Sequence, residues 1–170
     1  DHAATTYLDP RVKEAMEPYW GLEYGNPSSL YRVGRRAKDA LDNARSTIAR
    51  ILNCRPDEII FTGGGTEAIN LAIFGVARYY GSPTSIVGSR TSRGHLITSK
   101  IEHHAVLYSC EALAKEGFEV TYLDVDEYGL VSLEDVRKAL RPDTLLVSVM
   151  YANNEIGTIE PIQEIAQVIK

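Results

Sequence analysis

Three consecutive glycines, Gly63-Gly64-Gly65, between a short apolar run and an apolar periodic segment constrain this chain more than any other feature. Glu58-Ile59-Ile60-Phe61 has strand character, and from Thr66 through Ile69 to Ile73 apolar positions recur at helical spacing. Together they predict a strand, a turn and a helix N-terminus. At such a junction free backbone N–H groups and the positive end of the helix dipole face the turn, and glycines admit an anion without a Cβ clash. The expected ligand is a phosphate group. No Gly-Lys-Ser/Thr follows, which excludes a Walker loop, and Gly63-x-Gly65 lacks the third glycine of a dinucleotide fingerprint. From these residues alone, a plain strand-to-helix connector with Thr66 as N-cap stays open beside the phosphate seat.

The flanking sequence narrows the class. The 170 residues are 44% hydrophobic and 24% charged, which fits one soluble globular domain. A net charge of −5 with no run of lysine or arginine argues against nucleic acid as a partner. No apolar stretch reaches the length of a membrane span and no signal-peptide pattern opens the chain, so no membrane is expected and a cytoplasmic location is. Cys54 and Cys110 are too few for a disulfide framework or a zinc site and read as reduced structural thiols. The chain opens on Asp1-His2-Ala3-Ala4-Thr5-Thr6 without an initiator methionine, so its natural N-terminus is expected upstream.

In chain order, Asp9-Pro10 reads as an N-cap and first helical position leading into Val12, Ala15 and Met16. Tyr24-Gly25-Asn26-Pro27-Ser28-Ser29 is turn-rich, and Val33, Ala37, Leu41, Ala44, Ile48 and Leu52 form an apolar stripe on a long helix from Arg32 to Leu52. Gly81 to Arg93 reads as a surface connection. A strand is expected over His95–Ser99, a helix from Glu102-His103-His104 to about Lys115 with Gly117 as its stop, and a strand over Glu119–Val125. Ser132 to Leu140 should be a helix, with a capping box in Ser132 and Asp135, and Thr144 to Met150 a strand. Alternating strands and helices predict a parallel sheet with helices on both faces, a three-layer α/β/α arrangement whose ligands gather at the carboxyl ends of strands. Three polar clusters fall at those ends: Gly63 to Asn70, Glu102-His103-His104, and Asn153-Asn154-Glu155.

Read as a series, Asp1 to Thr6, Tyr24 to Ser29, Phe61-Thr62 with Gly65-Thr66-Glu67 and Asn70-Leu71-Ala72, Glu102-His103 with Ala105-Val106-Leu107, and Asn153-Asn154-Glu155-Ile156-Gly157 resemble the N-terminal half of NifS-like cysteine desulfurases. These are fold-type I pyridoxal-phosphate enzymes of the aminotransferase class V group. The motifs span nearly the whole chain in the family's order. Tyr7, Tyr31 and Gly64 depart from the usual pattern, where proline, histidine and a serine-glycine-alanine type loop are more common.

The resemblance implies that the cofactor is pyridoxal 5′-phosphate and that Gly65 and Thr66 hold its phosphate. It also implies that His103 stacks over the pyridine ring and carries a proton, and that Asn154 donates to the ring oxygen. Without that context His103 would read as a solvated or N-capping side chain. His104 has no such match, Asn153 and Glu155 read as loop-fixing groups, and Thr5 and Thr6 resemble a segment bordering the substrate pocket. Residues 1–170 then form the N-terminal segment and first half of the large domain. In the family the pyridine-pairing aspartate, the Schiff-base lysine and the sulfur-accepting cysteine all follow this region. Lys13, Lys38, Lys100, Lys115, Lys138 and Lys170 lie in none of those contexts, and neither Cys54 nor Cys110 matches the sulfur-accepting loop. The chain alone is therefore expected to be inactive: a fragment, a truncation, or one partner of a split enzyme completed by a C-terminal half or second subunit. For the completed homodimer the resemblance implies removal of sulfur from L-cysteine, giving L-alanine and a persulfide for iron–sulfur scaffold or other sulfur-acceptor proteins. A relative acting on selenocysteine or kynurenine, and a non-catalytic scaffold, are the alternatives.

Overall fold

The computed structural model describes residues 5–81 and 93–170. The expectations for Asp1 to Ala4, and for most of the Gly81 to Arg93 connection, lie outside the described residues. The described residues divide into two compact units, residues 6–61 and a larger one built from residues 62–81 and 93–170 together with Thr5.

In the smaller unit, α1 (Pro10–Met16) begins as its sequence predicts, with the Asp9 carboxylate accepting from the Arg11 N–H. A 3₁₀ turn, Glu17–Trp20, follows it, and α2 (Arg32–Leu52) is the long helix expected from the apolar stripe. The Tyr24 to Ser29 turn packs on the start of α2 at Gly34, where a Cβ would lie 2.6 Å from the Asn26 carbonyl oxygen and 2.7 Å from that of Ser29. Only glycine allows that approach. Ile59-Ile60-Phe61 does not form the expected strand. Glu58 closes a 3₁₀ turn, Ile59 is extended (φ −90°, ψ 125°), and the segment joins no ladder among the described residues. A strand needs a partner backbone as well as apolar side chains, and here the Arg45 guanidinium donates to the Ile59 carbonyl and lies 4.8 Å over the Phe61 ring.

The larger unit is the three-layer sandwich that alternation predicts. Its parallel strands β1 (His95–Ser99), β2 (Glu119–Leu123) and β3 (Thr144–Ser148) stand in the order β2-β1-β3. Side chains on one strand alternate between faces, so Leu96 and Ile97 belong to different cores. Leu96 packs with Ile73 and Ala77 of α3 (Gly65–Tyr80) and with Val106, Cys110 and Leu113 of α4 (His104–Lys115). Ile97 packs with Val136 of α5 (Leu133–Ala139) and Ile165 of α6 (Ile162–Ile169). Ser132 caps α5 through the Asp135 N–H as expected, whereas α6 was not anticipated. The register of β1 against β3 slips after His95, which pairs with Thr144 while Leu96 pairs with Leu146. Leu145 is the extra residue, and Gly94 (φ +112°) admits it, because a Cβ there would meet Leu145 Cδ1 at 2.4 Å. Among the described residues no helix is long and apolar enough to cross a membrane.

Candidate active site

The glycine turn opens α3 in a way that leaves donors free. Gly64 is the N-cap, without a side-chain cap, and Gly65 and Thr66 are the first two helical residues. Thr66 is therefore not the N-cap considered from sequence; the all-glycine turn lets the helix begin two residues earlier. N–H groups in the first turn of a helix have no partner further back along it, the Ala68 N–H being the first here to find one, on the Gly64 carbonyl. A Cβ at Gly64 or Gly65 would meet nothing within 4 Å, so the turn is open to an incoming group. The Glu67 carboxylate, from the same turn, accepts from the Gly63 N–H at 2.6 Å and steadies the loop.

Two contacts fix how α3 and α4 lie. Ser109 Oγ donates to Asn70 Oδ1 at 2.6 Å, and Arg78 Nη2 bonds Glu116 Oε1 at 2.6 Å. The partners advance together along both helices, which makes the helices parallel. Asn70 lies five residues beyond Gly65 and Ser109 five beyond His104, so both helices begin about 7.5 Å before that first contact. The glycine turn and His103, the N-cap of α4, are thus level with each other on one face of the sheet.

His103 is exposed and its Nδ1 accepts from the Ala105 N–H at 3.1 Å. The capping role that its position alone suggests is real. It also sets the tautomer, since an accepting Nδ1 leaves the proton of the neutral ring on Nε2. His104 is also exposed, its ring 5.2 Å from that of Tyr108.

The third cluster follows β3. Asn153 is buried: its Oδ1 accepts from the Glu155 and Ile156 N–H groups at 2.8 and 3.1 Å, and its Nδ2 donates to the Ile101 carbonyl at 3.0 Å. Asn154, half-buried beside it, donates one amide hydrogen to Glu155 Oε1 at 3.0 Å and keeps a second. The structure thus brings Gly65, Thr66 and His103 to one level and ties the Asn154 loop to the loop that carries His103. Thr5 and Thr6 are exposed.

The residue that sequence reasoning undervalued is Glu102. It is 7% exposed, and its Oε1 accepts from Ser99 Oγ at 3.0 Å and from the Met150 N–H at 2.6 Å. Burial holds its carboxyl above the usual carboxylate range, and nearby Glu160 adds to this. Its membership of the Glu102-His103-His104 cluster at the strand exit was the available signal. Cys110, on α4, is buried, and burial pushes its thiol up to about 11, as suits a structural cysteine. Lys100 is on the surface, its Nζ 2.5 Å from Asp124.

These features define a parallel-sheet α/β protein with an open, uncapped helix start, a tautomer-fixed imidazole and an amide donor at the strand ends. The chain belongs to the Aminotransferase class-V family, whose pattern it matches over residues 1–170. It is 52% identical over its whole length to the cysteine desulfurase IscS of Dictyoglomus turgidum and covers 41% of that protein. A solved structure titled NifS-like protein superposes on all of the chain with a TM-score of 0.91 at 39% identity, the chain covering 44% of it. Another, SspA in complex with cysteine, gives 0.88 at 40% identity over 99% of this chain and 46% of that one. The chain thus spans about two fifths of the length of the curated relatives it matches.

Proposed function

We propose that this chain provides the phosphate-binding and ring-binding part of a pyridoxal-phosphate-dependent cysteine desulfurase, a cytoplasmic homodimer that converts L-cysteine to L-alanine and passes sulfur, as a persulfide, to iron–sulfur scaffold or other acceptor proteins. The observation that carries the reading is the level placement of the α3 start and His103, with the Asn154 loop bound to the same strand exit. High identity to desulfurases over the whole chain supports the substrate assignment.

The donors suit the cofactor. Gly65 and Thr66 offer backbone N–H groups, and Thr66 a hydroxyl, to a phosphate at the start of a helix of 16 residues with open space around its glycines. When bound, pyridoxal phosphate supplies an electron sink for bonds broken around the substrate α-carbon. Asn154 directs its second amide hydrogen to the ring oxygen. His103 presents a flat face to the ring, and its Nε2 gives or takes the proton that moves at the substrate. The Schiff-base lysine and the sulfur-accepting cysteine are assigned to the remainder of a protein of the relatives' length.

The test uses a full-length protein carrying this segment. His103→Ala removes proton carrier, stacking face and helix cap together, whereas His103→Asn keeps a good cap. Turnover should fall on the order of 10²–10⁴-fold in both variants. Cofactor affinity should change by about 1 kcal/mol, and His104→Ala should alter neither quantity. If His103→Asn retained turnover, the histidine would be a cap only and the proposed role would be wrong.

A further inference from the structure

The ladder between β1 and β3 ends at Thr98 and Ser148, before either loop of the site begins. Beyond that point strand pairing no longer sets the spacing of His103 and Asn154. Three side-chain or backbone links take over. The β1 exit is held to β2 by the Lys100 N–H on the Leu123 carbonyl at 3.0 Å, and to the β3 exit by Asn153 Nδ2 on the Ile101 carbonyl. The third is Glu102, one of whose oxygens receives a hydroxyl from β1 and a backbone N–H from just beyond β3. Glu102 immediately precedes His103, and Met150 lies four residues before Asn154.

A buried carboxyl group carries a large desolvation cost, and an apolar side chain would fill the same volume without it. Among the described residues Glu102 forms no ion pair; its two partners are neutral donors. What the carboxyl group supplies that an apolar residue cannot is an acceptor shared by two loops. We propose that Glu102, with Asn153, is a positioning residue of this site, one carboxylate oxygen joining the exits of β1 and β3 and so setting His103 and Asn154 at a fixed spacing. This inference rests on the cofactor reading above for what that spacing serves, but the spacing itself can be read without ligand.

The experiment compares Glu102→Gln, which keeps the accepting oxygen, with Glu102→Asp, which keeps a carboxylate but is too short to reach both donors. Nitrogen-15 spectra of the His103 ring and the Asn154 side-chain amide are recorded in the ligand-free 170-residue chain, followed by titrations with pyridoxal 5′-phosphate and with inorganic phosphate. In the Asp variant both sets of signals should shift, and pyridoxal phosphate affinity should fall about tenfold, the lower end of the effect of groups that orient a ligand-holding side chain. Inorganic phosphate affinity should hold, because its seat is on α3. The Gln variant should restore signals and affinity. Unshifted signals in the Asp variant, or failure of the Gln variant to restore them, would overturn the positioning role. If no variant and not the parent chain bound pyridoxal phosphate, the cofactor reading would fail while the spectra still decided the role of Glu102.

Discussion

The two ends of the sheet are both cross-linked by buried polar side chains, yet to opposite effect. At the amino end, His95 lies fully buried and spans all three strands: Nδ1 meets Thr144 Oγ1 at 2.9 Å and Nε2 meets Thr121 Oγ1 at 2.8 Å. Arg141, close by, bonds Glu119 at 2.5 Å and Asp143 at 2.8 Å. These groups all satisfy one another. At the carboxyl end Glu102 and Asn153 join the exits of two of those strands, β1 and β3, but the residues next to them, His103 and Asn154, keep a ring nitrogen and an amide hydrogen for something else. A parallel sheet can therefore be clamped at one end for stability while the other end is clamped to present donors.

The largest effect that would test this contrast is on stability. His95→Leu leaves both threonine hydroxyls without the ring and should destabilise the chain by about 2–4 kcal/mol in urea titrations. It should leave phosphate binding unchanged, since the proposed seat is at the far end. A matching loss of phosphate affinity would show that the two ends are not separable.

Second in size, Thr66→Val should weaken binding of pyridoxal phosphate by about 1.5–3 kcal/mol, the range for a hydrogen bond to a charged group, while the melting temperature hardly moves. The threonine is exposed, so its removal leaves no buried group unpaired. A large stability loss would mean that Thr66 belongs to the packing of the helix start.

The third test separates the ends by pH. Burial lowers the affinity of His95 for a proton, with Arg141 acting in the same direction and Asp143 and Glu119 against it. The unfolded chain then binds the extra proton, so the His95 contribution is complete above about pH 6.5 and is lost as pH falls through the lowered native value. Glu102 has the opposite sign: its raised carboxyl favours the native state below about pH 4.5, and this contribution is lost as pH rises through the native value. Stability measured from pH 4 to 7 should gain relative to the parent as pH falls in His95→Leu, and as pH rises in Glu102→Gln. Shifts of the same sign in both variants would break the assignment.

The smallest expected effect is that of Arg141→Gln, whose ion pairs are partly solvated; the melting temperature should drop slightly at low salt and not at all at high salt.

Elements whose signal is local were legible in the sequence. The Asp9 and Ser132 caps, the stripe of α2 and the five residues of β1 all fell where periodicity and capping chemistry placed them. What depended on distant partners was not. Ile59-Ile60-Phe61 has strand composition, but its carbonyl is taken by Arg45 rather than by a neighbouring strand. His95 read as an ordinary strand residue because Thr121 and Thr144, which make it a clamp, lie 26 and 49 positions away. Glu102 was visible as a member of a polar cluster, but its partner at Met150 is 48 residues distant. The helix α6 has a local pattern in Ile162, Ile165 and Ile169 after Pro161, and it could have been found by extending the same periodicity test to the chain's last residues.

The parallel alignment of α3 and α4 also bears on how fast a ligand arrives. Each helix start carries roughly half a positive charge, and two level starts sum to about one. A phosphorylated molecule approaching a chain of net charge −5 is repelled at long range, where that total dominates, but is drawn in once within a Debye length of the paired starts. Added salt should therefore slow capture less than it would at a wholly basic surface, because it screens the distant repulsion along with the nearby pull.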